Sequence, residues 1–511
     1  MKKIFKLLFS RIFIIGLLLI IQLTAIFLPF ILLGEWGNSS YVFNIIYFII
    51  GLFVLLYVIK QDIEPGFKLT WSIVILLFPL FGAGIYFIFG DKQHTNKKIR
   101  EGHKYKEKTH HLLISHTHQQ AAIEVHTTSA KYVAKYLENQ GFPAYKNTET
   151  LYFPWGEDKY EQMLEDLRNA KKFIFLEYFI VNNEGVMWNS ILEILKQKVK
   201  EGVEVRFIYD GFGSVFTLPS NYNKKMNDLG IKTRIFNKII PLVTFKINNR
   251  DHRKILVIDG KYGYTGGINL ADEYINKVKR FGVWKDTAIR LHGDAVYSLT
   301  FMFLQTWNSI KDDNDNYFKY YIPNDEISND KLVIPYGDDP TDKETIGESV
   351  YLNILNRAKD YVYLTTPYLI CDNTITTALT MAAKSGIDVR IIVPGIFDKK
   401  MVSWLTKSSY PALLNAGVRI FEYTKGFVHA KEYVSDDKTC VVGTINMDYR
   451  SLYHHFECAA YVEDSKTALD VKKDLLNTMD ECKEIKIENI KRNGFIKRLL
   501  TDILRIFAPL L

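Results

Sequence analysis

Three long uncharged runs open the chain. Residues 12–33 read IFIIGLLLIIQLTAIFLPFILL, and two more runs cover 41–59 and 69–89. Each is long enough to cross the roughly 30 Å hydrocarbon core of a bilayer as a helix. Their clustering favours a membrane domain over 1–90, with two to three hydrophobic helices, above buried globular helices. A secretory signal is a poor fit for the first run, because the basic start (Lys2, Lys3, Lys6, Arg11) leads into too long an apolar stretch with no small-residue cleavage site behind it. That start and the cluster Lys92, Lys97, Lys98 and Arg100 both read as cytoplasmic. Three complete crossings cannot satisfy both, so the third run, which carries Pro79, Gly82 and Gly84, is expected to be broken or re-entrant. The pattern predicts a multi-pass protein of the cell membrane whose remaining chain is cytoplasmic.

Beyond these runs the pattern changes twice. Residues 91–145 are polar and hold seven of the twelve histidines, including HHLLISHTH at 110–118. No acidic partner is interleaved in that cluster and its spacing matches no metal motif, so the stretch reads as a solvated linker or surface helix. From 146 onward, nearly apolar strand-like runs alternate with helical stretches, and the series occurs twice. KKFIFLEYFI at 171–180 answers to KDYVYLTTPYLI at 359–370, GVEVRFIYD at 202–210 to GIDVRIIVP at 386–394, and GIKTRIFN at 230–237 to GVRIFEYT at 417–424. Helical stretches at 191–199 and 375–383 separate the first two pairs. Strands that are apolar throughout are buried on both faces, so each series predicts an α/β unit, a sheet covered by helices. The expected organisation is a first half at 146–315, a polar connector at 316–345, a second half at 346–490 and an amphipathic helix at 491–511. In that last segment Ile496, Leu499, Leu500, Ile503, Ile506 and Phe507 share one helical face. Such a helix either packs on the domain or lies in the membrane interface.

Composition sharpens this in two places. The chain has 511 residues, too many for one ordinary core, and its 48% hydrophobic content coexists with a mean hydropathy near zero, so apolar residues are unevenly spread. A formal charge of +8 and a pI near 8.9 suit an anionic lipid surface or a nucleic acid, and charge alone does not choose between them. Cys371, Cys440, Cys458 and Cys482 form no CxxC pair, so neither a disulfide framework nor a zinc knuckle is suggested.

The chemistry sits in a motif that the repeat carries twice. HRKILVID begins at His252 and HAKEYVSD at His429, each a His-x-Lys-x4-Asp. After six further residues each is followed by Gly-x-x-Asn, GGIN at 266–269 and GTIN at 443–446. On a strand, residues i and i+2 share a face, so His252 and Lys254 are expected to point into one pocket, as are His429 and Lys431. The glycines permit close backbone approach, and Asn269 and Asn446 add amide donors. Two imidazoles, two ammonium groups and two carboxamides on one site suit a tetrahedral anion such as a phosphodiester. One histidine attacks phosphorus while the other protonates the leaving alcohol and then deprotonates the incoming one. Lysines and asparagines stabilise the non-bridging oxygens, and no metal is required because the cations are built in. One half-site has only one histidine, which is why the chain carries two.

The stretches HRKILVIDGKYGYTGGIN and HAKEYVSDDKTCVVGTINMDYRS resemble the two signature motifs of the phospholipase D superfamily. With the LEYFI and PYL strands and the N-terminal WSIVILLFPLFGAGIYFIFG, the likeness is to the cardiolipin synthase branch and runs from about Trp71 to the C-terminus. It implies two tandem phospholipase D-like α/β units forming one pseudo-symmetric catalytic body behind N-terminal transmembrane helices. It also implies a phosphatidyltransferase that moves a phosphatidyl group from one phosphatidylglycerol to another, giving cardiolipin and glycerol through a phosphohistidine. The substrates are membrane phospholipids, with no cofactor and no nucleic acid; the alternative is a phospholipase D-type hydrolase or a transphosphatidylase with another headgroup acceptor. By the resemblance His252 is the nucleophile and His429 the general acid/base, or the reverse. Lys254, Lys431, Asn269 and Asn446 hold phosphate, and Asp286 (in VWKDT) and Glu457 (in HHFEC) orient the imidazoles. Asp259 and Asp436 complete the catalytic motif with a mainly structural part. Glu432 departs from the pattern, a charged residue on a strand where an apolar or hydroxylated one is expected.

Overall fold

The computed structural model of the chain describes Ile20 and residues 37–90, 102, 104–109, 111–113, 128–238, 249–323, 327–342, 344–490 and 494–510. Of these, 37–90 and 498–510 belong to one compact unit and 102–497 to another.

The first unit contains helices Gly37–Lys60, Pro65–Leu77 and Pro79–Phe89. Pro65 opens the second helix, where its missing N–H costs nothing, and the Glu64 side chain accepts the Phe67 N–H at 3.3 Å. The third apolar run breaks at Phe78, as expected, because Pro79 has no N–H to donate and restricts the residue before it. The resulting helices of 13 and 11 residues fall short of the roughly 20 needed for a crossing. Among the described residues no helix is long and apolar enough to cross a membrane. The predicted crossings are therefore not found there; apart from Ile20, the run at 12–33 lies outside the described residues, and side chains of the first helix are described only from Ile45. Inside this unit Trp71 packs edge-on against Tyr86 with ring centres 5.3 Å apart. The C-terminal helix Phe495–Phe507 is tied down at its end, where the Thr70 hydroxyl donates to Ile506 O at 2.5 Å and Ala508 and Pro509 are buried. Ile496, Leu499, Leu500 and Ile503 on its apolar face stay exposed.

The second unit contains both halves of the repeat. Its strands in chain order are β1 (Thr148–Phe153), β2 (Phe173–Tyr178), β3 (Glu204–Asp210), β4 (Lys232–Phe236), β5 (Arg250–Asp251), β6 (Lys254–Ile258), β7 (Tyr262–Gly266), β8 (Val283–Lys285) and β9 (Ala288–Gly293). The second half follows with β10 (Leu332–Asp338), β11 (Tyr361–Thr365), β12 (Asp388–Pro394), β13 (Arg419–Tyr423), β14 (Gly426–Val428), β15 (Glu432–Ser435), β16 (Thr439–Gly443), β17 (His455–Glu463) and β18 (Cys482–Ile485). The first sheet runs β1-β9-β7-β6-β2-β3-β4 and the second β10-β17-β16-β15-β11-β12-β13-β18. Replacing each strand by its repeat counterpart converts one order into the other, with β18 added at the edge. The duplicated α/β unit read from the sequence is thus present. Within each sheet three strands are parallel, β2-β3-β4 and β11-β12-β13, and the rest join antiparallel. Both faces of β2 and β11 are buried, with crossover helices Val186–Lys200 and Asn373–Lys384 supplying cover.

Two boundaries differ from the sequence reading. The stretch 332–338, assigned to the connector, is the wholly buried strand β10, paired along its length with β17. The polar residues on either side hide its LVIPY core from a composition argument. Within 91–145, helix Thr128–Asn139 buries Ala130, Val133 and Leu137 and packs on helix Ile346–Arg357 and β10. Lys106 lies 2.8 Å from Asp342 and 3.7 Å from Asp339, so this part of the presumed linker is fastened to the second half. His110 and residues 114–118 of the histidine cluster lie outside the described residues.

Candidate active site

Each motif histidine sits where the chain changes partner. β5 pairs in parallel with the start of β17 in the opposite half, and β6 then pairs with β2 and β7 of its own. His252 and Arg253 occupy the seam between. In the second half β14 pairs in parallel with β8, β15 joins its own sheet, and His429, Ala430 and Lys431 lie between them. The His252 N–H donates to Phe456 O at 2.9 Å, and the His429 N–H to Lys285 O at 2.7 Å. The expectation of His and Lys on one strand face therefore needs correcting: the strand begins at the lysine or just after it, and a ladder from the other half sets the imidazole. Gly426 makes one of these ladders possible, since a Cβ there would lie 2.0 Å from Val283 O.

The same ladders deliver a carboxylate to each ring. Phe456 is followed by Glu457, whose two oxygens lie 2.9 and 3.0 Å from His252 Nδ1. Lys285 is followed by Asp286, whose Oδ2 lies 2.7 Å from His429 Nδ1. With Nδ1–H donated to a carboxylate, each Nε2 keeps its lone pair for substrate. The Thr444 and Ser451 hydroxyls, each at 2.5 Å, donate to Glu457, and the Thr287 N–H donates to Asp286 at 2.9 Å. The Gly-x-x-Asn segments take part directly. A Cβ on Gly267 would lie 2.0 Å from Asp286 Oδ1, so that glycine makes room for one carboxylate, while Thr444 at the matching place holds the other.

Lys254 Nζ donates to His252 O at 2.5 Å, and Lys431 Nζ donates to His429 O. Every one of these groups is buried, and burial is the largest influence on their protonation. It lowers His252 to about 3 against the opposing pull of Glu457, and lowers His429 to about 4 with help from the Lys431 charge. Burial also brings Lys254 down to about 8 and Lys431 to about 7. For Glu457 and Asp286 burial works in the other direction, but the facing imidazoles hold both carboxyls below their usual range. Lys254 acts electrostatically on His429 and Lys431, and Asp286 on Lys254, so the two half-sites share one field. Burial presses both ammonium groups toward the neutral form, and the negative charge of a phosphodiester would favour their charged form.

The remaining predicted residues separate into three groups. Asp259 and Asp436 are not brought to the histidines. Each lies past the far end of its motif strand, about 23 Å along the chain from the histidine at roughly 3.3 Å per residue. Asp259 accepts the N–H groups of Lys171, Lys172 and Phe173 at 2.7 to 2.9 Å, and Asp436 those of Lys359, Asp360 and Tyr361 at 2.9 to 3.1 Å. Both adopt the left-handed conformation, with φ of 55° and 53°. They fix the start of β2 and β11, so their placement in the catalytic group is corrected to a structural one. Asn269 is close to the site but committed: its Oδ1 accepts the Ile180 N–H at 3.0 Å and its Nδ2 donates to the Tyr274 hydroxyl at 2.7 Å. Asn446 differs, with a buried Oδ1 that has no hydrogen-bond partner among the described residues.

Residues the motif did not announce complete the walls. Phe179 meets the His252 ring edge-on at 5.1 Å and His455 lies over it at 5.2 Å, while Tyr274, Trp284 and Phe427 surround His429. Among the described residues, His252, His455 and Glu457 bring ligand atoms within 4.8 Å of one another, a spacing that would admit a metal ion. The imidazole and two hydroxyls already engage that carboxylate. The only sequence signal for His455 was its place two residues before Glu457.

Similarity to known proteins agrees with this geometry. A family profile described as "Cardiolipin synthase, PLD-like domain" matches residues 163–287 and again 351–479, and one described as "Phospholipase_D-nuclease N-terminal" matches 46–90. A protein of Streptococcus mutans described as uncharacterized is 45% identical over 464 residues, covering 89% of this chain and 99% of its own. Cardiolipin synthase 2 of Bacillus anthracis is 33% identical over 487 residues, covering 92% of this chain and 91% of its own. In structure, the chain is similar to phosphatidylserine synthase of Haemophilus influenzae, with a TM-score of 0.56 at 17% identity over 75% of this chain and 98% of that one, a likeness of fold. On the full-length relationship to cardiolipin synthases and the two matched domains, the chain belongs to the cardiolipin synthase family of phospholipase D-like proteins.

Proposed function

We propose that this chain is a phosphatidyltransferase that converts two phosphatidylglycerol molecules into cardiolipin and glycerol. The observation that carries it is the pair of histidines, each bonded through Nδ1 to a buried carboxylate from the opposite half. In the first step the bound phosphate anion favours the doubly protonated His429, His252 Nε2 attacks the phosphodiester phosphorus, the P–O bond to glycerol breaks, and His429 gives the leaving oxygen its Nε2 proton and returns to the neutral ring. In the second, His429 takes the proton from a hydroxyl of another phosphatidylglycerol, whose oxygen displaces His252 and forms cardiolipin. Assigning His252 as nucleophile is supported by Glu457, which meets its Nδ1 with both oxygens and stabilises the positive ring of a phosphohistidine. Lys254, Lys431 and Asn446 surround the non-bridging oxygens. Phosphate binding restores the charge that burial takes from the lysines, so the field strengthens when substrate arrives.

The membrane reading is part of the same proposal. Residues 1–90 hold the protein at the cell membrane with the catalytic body, 146–490, on the cytoplasmic side, and the exposed apolar face of helix Phe495–Phe507 lies in the interface. The test is incubation of the reconstituted protein with phosphatidylglycerol alone, following lipids and free glycerol, beside His252→Ala and His429→Ala. Cardiolipin and glycerol in equal amounts, lost in both variants, bear the proposal out. Phosphatidic acid in place of cardiolipin makes water the acceptor and refutes the transfer step.

A further inference from the structure

Glu432 is the feature of the sequence that this reaction leaves unused. It is buried on β15, directly after Lys431. Its carboxyl faces Tyr152 from β1, Asp474 from helix Ser465–Asp480, Lys285 from β8, Thr365 from β11 and the Thr287 hydroxyl. Asp158 and Cys440 are further ionisable groups around the cluster. The Tyr152 hydroxyl oxygen lies 2.6 Å from Glu432 Oε2 and 2.6 Å from Asp474 Oδ2. Lys285 Nζ lies 2.8 and 2.7 Å from the two Asp474 oxygens and also donates to Pro154 O.

A phenol has one proton to give. Two oxygen–oxygen contacts this short require a second, carried by one of the carboxyls. Asp474 has an ammonium group on both oxygens and is therefore the ionised one. Glu432 is left to hold the proton, and burial followed by the Asp474 charge pushes it in that direction, up to about 7. The donors then run in one line, from Glu432 O–H to Tyr152, from Tyr152 O–H to Asp474, and from Lys285 to Asp474. This line lies immediately behind one half-site, because the Lys285 carbonyl takes the His429 N–H and the next residue is Asp286. In the first half the equivalent cross-strand pair is Glu177 with Ile255, where the second half has Thr365 with Glu432. The acid there has moved to the neighbouring strand and faces Asp251 and Arg253 instead of a lysine beside the orienting carboxylate.

We propose that Glu432 is a positioning residue for the His429 half-site, held as the neutral acid, and that in this form it keeps Lys285, Asp286 and His429 aligned through Tyr152 and Asp474. Ionising Glu432 places two like charges across one phenol and draws the Lys285 ammonium between them, which loosens the β8–β14 ladder that carries both partners of the His429 pair. The effect on turnover rests on the phosphatidyl-transfer reading, whereas the protonation state does not, so the two are measured separately.

The first measurement is the infrared difference between wild type and Glu432→Gln, full chain in lipid, across pH 5 to 9. The expected result is a protonated-carboxyl C=O band that the variant lacks and that titrates away as pH rises. Its absence at pH 6 overturns the proposal whatever the enzyme does. The second is kcat on phosphatidylglycerol against pH. The wild type is expected to show an alkaline limb falling about tenfold per pH unit, with KM little changed. Glu432→Gln, which keeps a donor toward Tyr152 but cannot ionise, is expected to lose that limb, and coincident profiles refute the positioning role. Should that variant fail to fold, Tyr152→Phe breaks the same line. It is expected to shift the infrared titration of Glu432, and an unshifted titration counts against the relay.

Discussion

Replacing Glu457 by Gln tests the site where its geometry is tightest. The carboxylate is fully buried and accepts hydrogen bonds from three groups, the Thr444 and Ser451 hydroxyls and His252 Nδ1–H. A glutamine of the same shape has one oxygen. Either a hydroxyl loses its acceptor or the amide N–H turns toward Nδ1, and the second choice forces the imidazole into the tautomer with its hydrogen on Nε2. That removes the lone pair needed to attack phosphorus. A wrong-tautomer lesion of this kind costs about 10⁴-fold in serine proteases, so a loss of roughly 10³- to 10⁴-fold in kcat is expected, about 4 to 5.5 kcal/mol of barrier. The assay is cardiolipin and glycerol formation by reconstituted protein, with the thermal midpoint measured on the same samples. Asp286→Asn is expected to act on His429 in the same way, and the double variant to fall well short of the product of the two losses, since both serve one reaction. Activity of Glu457→Gln within tenfold of wild type, with folding intact, would refute the orienting role.

Three further outcomes follow from the same structure. His252 and His429 are held neutral, at about 3 and about 4 against 6.5 in an unfolded chain, so between those values the unfolded chain binds protons that the folded one refuses. Their contribution to stability is complete above about pH 6.5 and is lost as pH falls toward 4 and then 3; a His252→Gln/His429→Gln double variant should lose stability less steeply over pH 7 to 4, and an equal slope would contradict this. Asp436→Ala removes the acceptor of three backbone N–H groups and puts alanine at a φ of 53°. It should lower stability by about 2 to 4 kcal/mol while the folded fraction keeps its kcat, whereas a large kcat loss at unchanged stability would return Asp436 to the reaction. Leu500→Trp, on the exposed face of the C-terminal helix, should show fluorescence quenched by brominated acyl chains in reconstituted vesicles, and no quenching would mean that this face does not meet lipid.

The duplicated unit was legible because β-strands buried on both faces leave contiguous apolar runs, and because the histidine motif repeats with constant spacing. β10 was not, since a seven-residue strand set between polar turns disappears into a composition average. The orienting carboxylates were placed by resemblance, and the structure gives the reason for the placement: each directly follows a short inter-half ladder that no local pattern announces. The two asparagines look alike in sequence, yet Asn269 is bonded at both ends and Asn446 is not, a difference fixed by Tyr274 and Ile180. Glu432 looked out of place on its strand because its partners, Tyr152, Lys285 and Asp474, come from segments as much as 280 residues away in the chain.

The crossed ladders have a consequence for the protein's life before it is finished. During synthesis the first half emerges with His252 but without Glu457, which arrives some 205 residues later, and Asp286 waits 143 residues for His429. No folded fragment shorter than both halves contains an aligned histidine. A nascent or proteolysed chain lying at a bilayer therefore cannot cut the phospholipids around it, and reactivity toward lipid switches on only when the last strand of the second sheet core is in place. The arrangement acts as an interlock between completing the protein and exposing a membrane to its chemistry.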